Sequence, residues 1–254
     1  MTATRETPRR RSDPTIDPDE VARFAAQAAG WWDPAGSFRP LHRLNPARLD
    51  FIRGTLDAHF GRDARSLTPF AGLSLCDIGC GGGLIAEPMA RLGFAVTAID
   101  ADAEAIAVAR DHAAAGGLDI DYQSETAESL ARDKRQFDVV LALELIEHVT
   151  DPDALLAACS ALIKPGGAFI GATLNRTPQS YALAIVGAEY VMRWLPRGTH
   201  DWRRFLRPSE FVLALRRAGL KPTQLRGLRY RPLNGDWAQT DDLSVNYLVV
   251  AIKP

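Results

Sequence analysis

Nine residues, Leu75-Cys76-Asp77-Ile78-Gly79-Cys80-Gly81-Gly82-Gly83, constrain the fold more than any other stretch of the chain. A short apolar run reaches an acid and then breaks into four glycines within five positions. Glycine lacks a Cβ, so such a loop can adopt positive φ and let a ligand rest against the main chain. A buried strand, a glycine loop and a helix in that order begin a cofactor-binding α/β unit.

The flanking sequence agrees. Asp17 caps a helix over residues 18–29, with Glu20 placed to reach back to the cap, and Asn45-Pro46 opens a second helix over 46–59. Strands are expected near 75–78, 96–100, 120–123, 137–143 and 168–173, separated by helices that start at Asp102 and at Asp151-Pro152. The alternation implies a parallel sheet covered by helices, with ligands beyond the carboxyl ends of its strands. A long apolar helix over 180–195, a helix over 208–219 and two strands near 223–227 and 244–252 complete the reading. The expectation is an α/β fold with a mostly parallel seven-stranded sheet, helices on both faces and an antiparallel C-terminal edge strand. Residues 1–16 read as a disordered tail and 17–254 as a single domain. Within it, 17–73 form a helical cap, 74–175 the cofactor-binding core, 176–208 an insertion or lid, and 209–254 a closing helix and strands.

Composition removes several alternatives. A net charge of -1 gives no whole-molecule reason to bind nucleic acid. Cys76, Cys80 and Cys159 form neither a C-x-x-C pair nor a disulfide framework, which fits a reducing, cytoplasmic setting. No apolar run reaches the roughly 18 residues of a spanning helix, so the chain reads as soluble and able to lie against a membrane.

The loop also selects its cofactor. Gly79, Gly81 and Gly83 give G-x-G-x-G, and Leu84 takes the place of the third dinucleotide-fingerprint glycine. Asp77 would set a carboxylate near a pyrophosphate, where like charges repel. S-adenosylmethionine carries no phosphate and is cationic, so the same acid favours it. Asp100, ending the second strand, is placed to accept from ribose hydroxyls.

Beyond the fourth strand come Glu144, Glu147 and His148. On a helical turn they would share one face. Two chemistries stay open there, beside a structural reading in which His148 merely caps and the glutamates are solvated. The three can hold a divalent cation such as Mg²⁺, or His148 and Glu147 can act as a metal-free general base.

Trp31-Trp32-Asp33, the stretch Phe38 to Arg48, Asp77 to Gly83, Glu144 to His148, Thr173 to Arg176, Gly198-Thr199-His200-Asp201 and Val245-Asn246-Tyr247 together resemble the ubiquinone-biosynthesis O-methyltransferases. These belong to the Rossmann-like class I S-adenosylmethionine-dependent methyltransferases. The resemblance implies methylation of the phenolic hydroxyls of a prenylated catechol and a demethylated ubiquinol. It places cofactor contacts at Arg48, Gly79, Asp100 and Leu143, the last standing where the family carries methionine. It adds weight to metal at Glu144, Glu147 and His148, and implies association with other enzymes of the pathway. It also favours peripheral contact with an anionic membrane through the apolar 180–195 stretch and the arginines after it. Two other readings compete: a methyltransferase of a soluble phenol, and a non-catalytic cofactor-binding module.

Overall fold

The computed structural model describes residues 15–183, 185, 201–232 and 234–254. Most of the expected tail lies outside them, but Thr15 is built into the fold. Its hydroxyl donates to Glu128 at 2.5 Å, and its carbonyl accepts from the Thr150 N–H.

Among the described residues eight strands form one sheet: β1 Ser74–Ile78, β2 Ala95–Asp100, β3 Asp121–Ser124, β4 Phe137–Leu143, β5 Ile163–Leu174, β6 Lys221–Arg231, β7 Asp236–Thr240 and β8 Asn246–Ile252. Their order is β3-β2-β1-β4-β5-β8-β6-β7. The first five run parallel, and β8, β6 and β7 add an antiparallel edge. The expected antiparallel edge is therefore present, but the sheet has eight strands rather than seven. The last strand of the chain lies inside it, between β5 and β6. The additional strand, β7, returns from a turn at Asn234-Gly235, where Gly235 takes φ +69°.

The helices are α1 Pro18–Ala25, α2 Arg39–Phe60, α3 Ala86–Arg91, α4 Ala103–Ala115, α5 Ala127–Arg132, α6 Pro152–Leu162, α7 Pro178–Ser180 and α8 Pro208–Arg217. Alternation along the strands sorts the core into two layers. Leu75, Val139, Leu141, Leu248 and Val250 face α2, α3 and α4. Cys76, Val140, Ala142, Val249 and Ala251 face α5, α6 and α8.

Two helix boundaries differ from the expected ones. α1 stops at Ala25, with a separate single turn at Ala28–Gly30. α2 begins at Arg39, with Pro40 in its first turn, and runs through Pro46. An interior proline costs about 3 kcal/mol. Burial of Leu44, Phe51, Ile52 and Leu56 on one face offsets this, each contributing roughly 1.5–3 kcal/mol. Of the expected 180–195 helix, the described part is the end of α7 with a helical continuation at residues 181–183 and 185; the rest lies outside the described residues. Among the described residues no helix is long and apolar enough to cross a membrane.

Candidate active site

The carboxyl ends of β1, β2 and β4 meet the glycine loop. Gly79, Gly81 and Gly83 all take positive φ, at +72°, +52° and +87°. A Cβ on Gly81 would come within 2.4 Å of the Trp31 ring, and one on Gly83 within 2.2 Å of the Tyr122 hydroxyl. These two glycines are thus demanded by neighbouring side chains of the protein itself, as well as by any ligand. Trp31 stacks on Phe38 with ring centroids 3.7 Å apart. Trp32 donates its Nε1–H to the Gly82 carbonyl at 2.9 Å and stacks on His112. The Trp31-Trp32 pair therefore holds the loop from above.

The carboxylates around the loop have different environments. Asp100 ends β2 and accepts from the N–H of Gly81 at 2.8 Å and of Asp102 at 2.9 Å. Burial pushes its acidity down, and those backbone donors oppose the effect. Asp102, not Asp100, caps α4. Asp77 is 3% exposed, and its Oδ2 has no protein partner. Burial, and then the charge of Asp100, raise its pKa to about 7 against the pull of Arg48.

Arg48, on the buried side of α2, donates through Nη2 to Glu144 Oε1 at 2.8 Å and through Nη1 to Asn45 at 3.2 Å. Its Nε is buried without a partner. Asn246, the first residue of β8, donates to the same Glu144 oxygen at 3.0 Å. Leu143, at the end of β4, is buried at the cavity wall. The cavity has a volume of about 600 Å³ and reaches from Asp100 and Glu125, past Asp77 and Glu144, to Leu228 on β6.

The Glu144-to-His148 segment does not form the shared face expected of it. Glu144 takes φ +52°, a left-handed conformation that is uncommon outside glycine and breaks the helical phase. Its side chain turns to the α2 face of the sheet. Glu147 goes to the opposite face, where Thr173 donates to its Oε2 at 2.9 Å. Burial there, and then the charge of Glu144, raise the Glu147 pKa to about 8. His148 turns towards α1, its Nδ1 lying 3.1 Å from Glu20 Oε2, with its ring edge-on to Phe24. Among the described residues no group of three His, Cys, Asp or Glu is placed to hold a metal. The three side chains diverge, Glu144 to Arg48 on one face of the sheet, Glu147 to Thr173 on the other and His148 to Glu20 of α1.

His148 and Glu144 line the cavity, while Glu147 does not. Glu20, Asn246 and the tryptophans adjoin the cavity and its loop, and no motif spacing in the sequence marked their roles. The i+3 distance from the Asp17 cap pointed to Glu20 only as a capping residue.

A family model described as a methyltransferase domain matches residues 55–225. A ubiquinone biosynthesis O-methyltransferase of Dinoroseobacter shibae is 55% identical over 241 residues, covering 94% of this chain and 97% of that protein. One from Paramagnetospirillum magneticum is 54% identical over 239 residues, covering 94% and 96%. Among solved structures, a magnesium protoporphyrin IX methyltransferase from Synechocystis PCC 6803 with bound SAH superposes with a TM-score of 0.60 at 16% identity, covering 93% of both chains. A possible histamine N-methyltransferase from Thermotoga maritima gives 0.62 at 16% identity, covering 93% of this chain and 99% of that one. The solved structures share the fold, the sequence relatives share far more, and the chain belongs to the ubiquinone biosynthesis O-methyltransferases.

Proposed function

We propose that this chain methylates the phenolic oxygens of prenylated catechol and demethylubiquinol intermediates in ubiquinone biosynthesis, with His148 as general base. When bound, S-adenosylmethionine supplies an activated methyl group. The residues present suit it. The unpartnered Asp77 oxygen suits an ammonium, the unpartnered Arg48 Nε a carboxylate, and Asp100 ribose hydroxyls. Gly79, Gly81 and Leu143 provide the wall against which the cofactor lies. Residues 17–73 act as its cap and 74–175 as its seat.

What remains for the protein is to align the acceptor and take its proton. Glu20 fixes the tautomer and orientation of the His148 ring, as carboxylate–imidazole pairs do. Glu144, held by Arg48 and Asn246, marks where β4 delivers the acceptor. Glu147, on the far side of the sheet, serves the fold and not the chemistry. Mg²⁺ does not fit: Arg48 already holds a positive charge on Glu144, and the other two expected ligands point elsewhere.

The observation that carries this reading is the continuity of one cavity from the cofactor acids to the His148–Glu20 pair. Exposed Tyr181 and Leu183, at the start of the 180–195 stretch, support a face turned to lipid. Radiolabelled methyl transfer tests the activity. Label on the oxygen of a short-chain prenyl catechol supports it, and label only on unprenylated soluble phenols overturns it.

A further inference from the structure

The cavity extends well beyond the residues assigned to the cofactor and the base. Asp77 lies on β1, Asp100 ends β2 and Glu144 follows β4, whereas Leu228 and Tyr230 lie on β6 and Trp237 on β7, and all six line the same space. From β2 to β6 is five strand spacings, roughly 24 Å at about 4.8 Å each. The far half has its own construction.

Register shows how it is built. Leu174, Asn246 and Leu228 stand opposite one another on β5, β8 and β6, so they share one face of the sheet. Tyr230, two residues beyond Leu228, pairs with Trp237, their rings 5.7 Å apart. Gln239, opposite Leu228, donates to Asp50 of α2 at 2.8 Å, which fixes this face as the one under α2. Leu228 and Trp237 pack in the same cluster as Leu44 of α2. An apolar groove therefore runs between α2 and the β6–β7 hairpin. One end starts at Asn246, which holds Glu144. The other runs past Tyr230 to Pro232, which is exposed.

We infer that this groove binds the apolar polyprenyl tail of the acceptor, with Tyr230 as a residue that sets tail preference. The inference rests on the proposed acceptor, a ring whose reacting oxygen sits by Glu144 and His148. A hydrocarbon attached to that ring must leave the chamber somewhere. The direction towards Asp100 is lined with carboxylates, which repel it by their need for water or partners. The direction towards Leu228 is apolar and continuous with the chamber, and it ends at solvent, so a long tail can protrude. The hairpin that walls it includes β7, the strand the sequence did not announce.

The test compares catechols bearing no, one and three prenyl units, in wild type, Tyr230→Arg and Tyr230→Ala. Wild-type kcat/KM should rise at least about tenfold from the bare to the three-unit substrate, since each buried methylene contributes to binding. Tyr230→Arg should lose at least about tenfold on the three-unit substrate, with S-adenosylmethionine affinity and bare-catechol turnover within about twofold of wild type. Tyr230→Ala should show the same selectivity with a smaller loss. Equal losses on all three substrates, or no dependence on tail length in wild type, would overturn the groove assignment while leaving catechol methylation standing. Failure of wild type to methylate any catechol would remove the acceptor assignment and the groove with it. Should Tyr230→Arg not fold, the wild-type length series and Tyr230→Ala decide.

Discussion

The imidazole Nδ1 of His148 lies 3.1 Å from the Glu20 carboxylate, across 128 positions of sequence. The pair joins α1 to the loop after β4, and it holds the imidazole at the cavity wall. Glu20 is further tied to Arg23 at 2.7 Å, and Arg204 reaches both Asp17 and Glu20. Glu20→Gln keeps the shape and removes the charge. It should lower kcat by about tenfold, through loss of the fixed tautomer, with S-adenosylmethionine affinity nearly unchanged. Steady-state kinetics beside calorimetric binding checks this; an equal fall in both quantities would assign Glu20 to the cap alone.

Asp77 gives cofactor binding a pH dependence. In the free protein its pKa is raised to about 7 by burial and then by Asp100, so below that pH it is protonated. A cationic cofactor favours the carboxylate, so binding must release a proton as pH falls below about 7. Affinity should drop with decreasing pH, approaching about tenfold per unit, and Asp77→Asn should abolish the slope while weakening binding. Calorimetry in two buffers of different ionisation enthalpy counts the protons released.

Glu147 acts on stability instead. Its pKa is raised from 4.5 to about 8, first by burial and then by the charge of Glu144. Between those values the folded state holds a proton that the unfolded chain has lost, so stability should fall as pH rises through this window and level off above it. Glu147→Gln should remove a loss on the order of a few kcal/mol at pH 8.5 relative to pH 5. Denaturant titrations of both proteins at the two pH values read it directly.

Chelation should leave turnover unchanged, because Glu144, Glu147 and His148 diverge and Arg48 supplies the positive charge at Glu144. Activity assayed after dialysis against EDTA checks this. A loss that Mg²⁺ restores would return the three residues to a common site.

The sequence announced the parts of the molecule that local chemistry dictates. The glycine loop, the caps at Asp17, Asp102 and Asp151 and the alternation of β1 to β5 all depend on near neighbours, and each stands where expected. No strand is expected at β7, although Asn234-Gly235 is itself a hairpin signal. The start of α2 was misplaced because Asn45-Pro46 imitates a helix start. Tertiary burial of Leu44, Phe51 and Ile52 then carried the helix through it. The grouping of Glu144, Glu147 and His148 failed because one left-handed residue, Glu144, cancels a periodicity argument. The partnerships of Asn246 and Glu20 had no local mark, since each reaches a partner more than 100 positions away.

The most direct test is single-turnover formation of the methyl ether on a short-chain prenyl catechol, with saturating S-adenosylmethionine, by wild type and His148→Ala. The account predicts transfer to a phenolic oxygen by wild type, slowed about 10²–10⁴-fold in the variant with cofactor affinity retained. Transfer at an unchanged rate in His148→Ala, or tight cofactor binding with no methyl ether formed by wild type, would contradict it.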